Sequence, residues 1–278
     1  MPGWKPGWQK EIAMAQVDIG DIELYYREWG DGPPLILIMG FTANCDWWPS
    51  EFIQSLSRKY RVFAIDNRGA GRSPAGRKRF TISQGADDLA AFMDALEIPK
   101  AHIFGISMGG MIAQAMAIRH RDRIDGLVLG CTMPRPITGF LAGLPGQAKL
   151  ALSYLFDSKI RARPWIVNIM FSHAFLDENT GMTNEFLAMA RKAKITSKGW
   201  WRQLRAMIRF SAMPYLKAFD LPTLVISGDC DLLVAPVHSK RLAQFIPNAE
   251  LVILNGPGHG FVGEMPVDSA GHIIRFLN

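Results

Sequence analysis

Cysteine is scarce: Cys45, Cys131 and Cys230 are the only three in 278 residues, odd in number and far apart. Such spacing gives neither a disulfide framework nor a zinc-ligand cluster, and a reducing cytoplasm is the expected compartment. No run approaches 18 apolar residues, so no transmembrane helix is expected. The N-terminal stretch MPGWKPGWQKEIAMAQ holds no apolar h-region, and no signal peptide is read there. Internal repeats, low-complexity linkers and any recognisable nucleic-acid module are also missing, so neither a membrane nor a nucleic acid is an expected partner. Acidic residues are the minority charge, 25 against 31 basic, for a net +6. The basic excess gathers in 158–163, SKIRAR, and 191–205, RKAKITSKGWWRQLR. These segments read first as solvated faces and second as an attraction for an anionic substrate or surface.

What is present is core material: 49% hydrophobic and 20% charged residues, a balance that rules against disorder. Strands are expected near 14–18 and 22–28, and the turn WGDGPP follows. Continuous apolar runs then appear at 35–39, 61–65, 101–105, 126–129, 223–226 and 250–254. Runs without polar alternation are what a parallel sheet covered on both faces requires. Helical patterns lie near 48–58, 83–96, 108–120, 236–246 and 266–277. The expected fold is therefore α/β, a mostly parallel central sheet flanked by helices. Residues 133–215 break the alternation with apolar helix formers such as FLAGLPGQAKLALSYLF, PWIVNIMFSHAFL and NEFLAMARKAK. This interval reads as a helical lid inserted into a core of 1–132 and 216–278, with a purely structural subdomain as the other reading.

Between the run at 101–105 and the next helix sits Gly105-Ile106-Ser107-Met108-Gly109, a G-x-S-x-G. Alone it is weak, since with Gly at about 7% of residues it arises by chance in roughly one chain in ten of this length. Ser is also a favoured helix N-cap. As a nucleophile Ser107 needs a general base, and histidine suits neutral pH. His102, His120, His173, His238 and His272 fall on strands, helices or the insertion and read as packing or surface residues. His259 instead lies in the loop NGPGHGFVGEMP after the last expected strand, the sheet edge where open α/β folds bind ligands. A carboxylate to orient it comes from TLVISGDCDLLVAP, as Asp231 or Asp229. Asp231 lies further from the strand end and is preferred, which leaves Asp229 as a turn residue. The order Ser…Asp…His is that of sheet hydrolases with a nucleophile elbow. AIDNRGAGRS reads as a sheet-edge loop with Arg68 pairing locally, and Asp87-Asp88 as acids opening a helix.

On LILIMGFTANCDWW, AIDNRGAGRS, GISMGG, TLVISGDCDLLVAP and GPGHGFVGEMP the chain resembles the α/β-hydrolase superfamily over nearly its full length. The S-M-G-G elbow is most similar to its lid-bearing esterases, enol-lactonases, C–C hydrolases and haloperoxidases. The resemblance gives Ser107, Asp231 and His259 the triad positions. It assigns the oxyanion donors to the backbone N–H groups of Phe41 and Met108. Gly40, Cys45 and Trp47 are expected at the substrate pocket, with a buried small residue as the other reading of Cys45. The family commonly has His-Gly where this chain has Met39-Gly40. Methionine cannot make the hydrogen bonds of that histidine, so the anchoring of the loop becomes the open question. The activity implied is hydrolysis of a small carboxylic ester or lactone with an apolar acyl or aryl moiety, through an acyl-enzyme and without metal or organic cofactor. C–C cleavage, enol-lactone opening, acyl transfer and perhydrolysis use the same residues, and a hydrolase-fold ligand receptor is the alternative outside enzymes.

Overall fold

A computed structural model describes residues 13–136, 166–192 and 197–278. Eight strands form one sheet: β1 (Ala13–Asp18), β2 (Glu23–Trp29), β3 (Pro34–Ile38), β4 (Arg61–Ile65), β5 (Ala101–Ile106), β6 (Ile124–Gly130), β7 (Thr223–Gly228) and β8 (Glu250–Leu254). Their order is β1-β2-β4-β3-β5-β6-β7-β8. The β1–β2 and β2–β4 pairs are antiparallel and every other pair is parallel. The apolar runs lie in the middle of the sheet because both of their faces are covered. In β3, Ile36 and Ile38 join one buried cluster while Leu35 and Leu37 join the other, and β4 divides in the same way. This is the period-two alternation of a strand with a core on each side.

On one face lie α2 (Ile82–Ala95), α3 (Met108–Arg119) and α8 (Val237–Phe245), which contribute Leu89, Ile112 and Leu242 to the first cluster. On the other lie α1 (Ser50–Ser57), the short α9 (Phe261–Glu264) and α10 (Pro266–Leu277), which contribute Phe52, Phe261 and Ile273. Helix α3 is buried from Met108 to Ala117, which accounts for its lack of a polar stripe. Between β6 and β7 the described residues are helical: α4 (Val167–Met170), α5 (His173–Glu178), α6 (Met182–Lys192) and α7 (Ser197–Arg209). Trp200 and Leu204 of α7 pack into the first cluster, while Val167 and Phe186 of α4 and α6 pack into the second. The insertion thus leans on both cores. The FLAGLPGQAKLALSYLF and SKIRAR stretches lie outside the described residues. No helix among those described is long and apolar enough to cross a membrane.

Two local expectations change. Asp87 and Asp88 do not open α2, because the helix begins at Ile82 with Thr81 Oγ1 accepting from Gln84 N at 2.9 Å. Arg68 pairs at long range and not locally. Its guanidinium donates to Asp88 Oδ1 and Oδ2 at 2.6 and 2.8 Å, and to Asp21 Oδ1 and Oδ2 at 2.9 and 2.8 Å. The Arg68 side chain is only 1% exposed. Removing one member of a buried ion pair leaves the other charge uncompensated. Arg68→Met is therefore expected to lower the unfolding free energy by about 3–5 kcal/mol in urea titration, and a loss near zero would refute a structural role for the pair.

Candidate active site

The turn from β5 into α3 holds Ser107 at φ 56° and ψ −117°, a left-handed backbone that a non-glycine residue rarely adopts. Although Ser107 is the N-cap of α3, its hydroxyl makes no capping hydrogen bond. Ser107 therefore starts its helix by position and not through its side chain, and its Oγ is not consumed by that helix. The surrounding backbone holds the strained residue in place. Ser107 N donates to Gly130 O at 2.9 Å, and Thr132 Oγ1 donates to Ser107 O at 2.7 Å. A Cβ at Gly105 would strike the Gly109 carbonyl, and one at Gly109 the Ile38 carbonyl of β3. These two glycines are demanded by close approach of the helix start to the sheet.

His259 follows β8 and Asp231 follows β7, and the two loops interlock. Cys230 N donates to Pro257 O at 3.1 Å and Asp229 N to Leu254 O at 3.0 Å. His259 Nδ1 lies 2.8 Å from Asp231 Oδ2, with both side chains buried. Asp231 Oδ1 accepts from the N–H groups of Leu233 and Val234 at 2.8 and 2.7 Å. Asp229 stays in the turn, its Oδ1 accepting from Gly256 N at 2.7 Å. Burial of the His259 ring opposes its charged form, but the Asp231 carboxylate outweighs burial and holds the imidazole well above its usual range.

Ser107 and His259 line one cavity of about 120 Å³ with Met39, Gly40, Phe41, Trp47, Phe171, Phe186 and Met207. Of the residues expected at the pocket, Gly40 and Trp47 line it and Cys45 does not. Cys45 opens a short 3₁₀ turn whose first N–H is tied to Asp66 Oδ1 at 2.7 Å, and its thiol lies by Arg72 Nη1 at 3.7 Å. Gly40 fits close to the nucleophile, since a Cβ there would sit 3.2 Å from Ser107 Cβ. Phe41 lines the cavity, whereas the Met108 side chain is fully buried in the core beneath it. Met108 is the first residue of α3, where an N–H has no acceptor within the helix. Of the other histidines, His120 pairs with Asp87 at 2.8 Å, and burial lowers His102, which lies within β5.

Sequence reasoning missed four residues that support the site. Asn67 Nδ2 donates to Met39 O at 2.9 Å and pins the loop that lacks the family histidine. Gln203 of α7 accepts from Thr42 N at 3.0 Å. Glu264 accepts from Gly258 N at 2.7 Å, beside His259, and from Ser172 Oγ at 2.5 Å in the insertion. Cys131, at φ 35°, places its buried Sγ 4.0 Å from His259 Nε2. Asn67 sits in the AIDNRGAGRS loop, Cys131 directly follows β6 and Glu264 lies in the NGPGHGFVGEMP stretch with His259, so their places at the sheet edge were readable; Gln203 carries no local signal. Among the described residues, Cys131, Asp231 and His259 alone form a group with metal-ligand geometry, their donor atoms lying within 4.8 Å of one another. Two of those atoms already bond to each other, and burial holds the thiol protonated, so the set suits proton transfer better than a cation.

A helix-flanked parallel sheet with a strained serine after β5 and a His–Asp pair after β8 and β7 has the form of an alpha/beta hydrolase fold. The chain belongs to that family, whose model matches residues 33–265. It is 28% identical over 271 residues to the non-heme chloroperoxidase CPO-A1 of Kitasatospora aureofaciens, across 92% of this chain and 96% of that one. The enol-lactonase of Burkholderia xenovorans LB400 superposes with a TM-score of 0.79 at 26% identity, over 95% of this chain and 99% of that one. A thermophilic esterase from Thermogutta terrifontis gives 0.78 at 25%, over 97% and 98%.

The three thiols differ in access: Cys45 and Cys131 are buried and Cys230 is exposed. Native protein is expected to react with one equivalent of Ellman's reagent and denatured protein with three. A second fast equivalent in the native state would contradict the burial of Cys131 beneath His259.

Proposed function

We propose that the protein is a serine hydrolase that cleaves a carboxylic ester or lactone with an apolar acyl or aryl moiety. The observation that carries this reading is the His259–Asp231 pair opening onto the same cavity as Ser107, whose hydroxyl caps no helix. His259 Nε2 takes the Ser107 proton as Oγ attacks the carbonyl carbon, and Asp231 stabilises the imidazolium that forms. The N–H groups of Phe41 and Met108 receive the developing oxyanion. Collapse expels the alkoxide, which takes the proton from His259 and leaves an acyl group on Ser107. Water, deprotonated by His259, then releases the acid and restores the hydroxyl. Apolar side chains dominate the cavity wall, which suits an acyl or aryl group and offers little to a charged one. Its modest volume favours small substrates over long-chain lipids. The insertion, residues 133–215, acts as the lid of this cavity, with Phe171, Phe186 and Met207 from its described part in the wall.

Ser107→Ala is expected to abolish both fluorophosphonate labelling and turnover of p-nitrophenyl esters while leaving the circular dichroism spectrum unchanged; labelling that persists would move the nucleophile elsewhere. The pH dependence has a definite sign. His259 is active only when neutral, and its pKa is raised from the ordinary 6.5, so kcat/KM should fall with decreasing pH through a midpoint above 6.5. Asp231→Asn removes the raising carboxylate. It is expected to shift that midpoint downward and to slow turnover by about 10⁴-fold. A flat profile between pH 5 and 8, with chemistry limiting, would count against His259 as the base.

A further inference from the structure

We infer that Gln203, on helix α7 of the insertion, is a positioning residue for the oxyanion-binding loop: its amide holds the Phe41–Thr42 peptide, so that the Phe41 N–H keeps its direction toward the developing charge. The inference rests on the serine hydrolase reading and concerns a residue that neither the elbow nor the His and Asp loops contain.

The loop after β3 makes a tight turn from Gly40 to Ala43, closed by Ala43 N donating to Gly40 O at 3.3 Å. In a trans peptide the N–H points opposite the C=O. Fixing Gly40 O therefore fixes the direction of the Phe41 N–H. The turn is strained at its third residue, because Thr42 adopts φ 65°. A turn with positive φ at that position normally takes glycine or asparagine, and a β-branched residue resists it. Left to itself Thr42 would leave this torsion, and the turn would open between Ala43 N and Gly40 O, which frees the Gly40–Phe41 peptide and with it the direction of the Phe41 N–H.

Gln203 opposes that relaxation from outside the loop. Its Oε1 accepts from Thr42 N at 3.0 Å, and its Nε2 donates to Arg68 O at 3.5 Å. Gln203 is 0% exposed, so water does not compete for the Thr42 N–H. Arg68 is itself held by the buried Asp88 and by Asp21, which gives the amide a fixed base. One turn earlier on α7, the Trp200 ring packs against Phe41 at 5.6 Å between centroids. One turn later, Met207 lines the cavity. At the near end of the loop Asn67 holds Met39 O. Asn67 and Gln203 together supply, through the main chain, the anchorage that a histidine in place of Met39 would give through its ring.

The test compares wild type, Gln203→Met, which keeps the volume and removes both polar groups, and Gln203→Glu, which keeps an acceptor for Thr42 N. Each is also made with Thr42→Gly, since glycine adopts the positive φ unaided. The readouts are kcat and KM for p-nitrophenyl butyrate and the inhibition constant of an alkylboronic acid, which forms a tetrahedral adduct on serine. Gln203→Met is expected to lower kcat by roughly 10- to 100-fold and to weaken the boronic acid in parallel, with KM within about threefold. Gln203→Glu is expected to recover most of the loss. In the Thr42→Gly background the Gln203→Met loss should shrink to under about threefold. If KM rises in step with the fall in kcat, or neither Glu nor Gly restores the rate, Gln203 merely attaches the insertion and the inference fails. Wild-type turnover by Gln203→Met also overturns it. Should that variant not fold, Gln203→Asn, which withdraws the same amide by one methylene, is read by the same criteria. Wild-type protein that takes no fluorophosphonate at Ser107 would overturn the hydrolase reading and this inference with it, whereas labelled wild type with an unaffected Gln203 series overturns the inference alone.

Discussion

One backbone torsion carries the chemistry of this molecule. Ser107 at positive φ turns the chain out of β5 and into α3 within a single residue, so the hydroxyl stands at the strand end and not along the helix. Such a conformation costs about 1–3 kcal/mol and persists only where the surroundings over-determine it. Here β6 does so: Gly130 accepts the Ser107 N–H, and Thr132, just past the strand, donates to the Ser107 carbonyl. Glycines at 105 and 109 let helix and sheet approach closely enough for those bonds to form. Among the described residues, five non-glycine positions have positive φ. Three of them, Thr42, Ser107 and Cys131, follow β3, β5 and β6 at one end of the sheet, and the first two line the cavity. Strain is gathered at the site while the two cores behind it are regular.

The insertion is tied to two loops of the site. It reaches the loop after β3 through Gln203 and the His259 loop through Ser172 and Glu264. Gly260 N, one residue past His259, also donates to Met170 O at 2.6 Å. The Gln203 link is buried and the Glu264 link half-buried, and a polar link withdrawn from water is costly to leave half-made. Burial pushes the Glu264 carboxyl up against the pull of its donors. Displacing the insertion would therefore loosen both loops at once.

The sheet was legible because its strands are apolar on both faces, and the alternation of 35–38 between two cores is the physical form of that pattern. Ser107, Asp231 and His259 were legible for a related reason: each lies in a glycine-bearing loop directly after a strand, and open sheets collect such loops at one edge. What the sequence concealed were contacts made at a distance by residues without local signature. Gln203 looks like any polar residue in a basic helix, and nothing in GWWRQLR points to Thr42, 161 residues earlier. Arg68 looked like a local partner because its salt bridges to Asp21 and Asp88 span the chain. Cys45 looked like a pocket residue because it follows the oxyanion loop, yet Asp66 draws its N–H inward and the 3₁₀ turn brings Trp47 to the cavity in its place.

The electrostatics of the His259–Asp231 pair strike a balance that the cavity wall adjusts. In the proposed reaction a carboxylate 2.8 Å from the imidazole would stabilise the imidazolium of the transition state, while it also raises the pKa and so depletes the neutral form at rest. The field of Asp231 is tempered from its other side, where Leu233 and Val234 donate to Oδ1 and spread its charge into the backbone. At Nε2 the Cys131 thiol lies 4.0 Å away, and burial raises its pKa and favours the protonated form. A carboxylate in that place would add a second negative charge and drive His259 further toward imidazolium. A lysine would repel the imidazolium that catalysis must form. The thiol at the end of β6 instead adds to the upward pull that Asp231 exerts on the imidazole, so Cys131 belongs to the electrostatics of the pair.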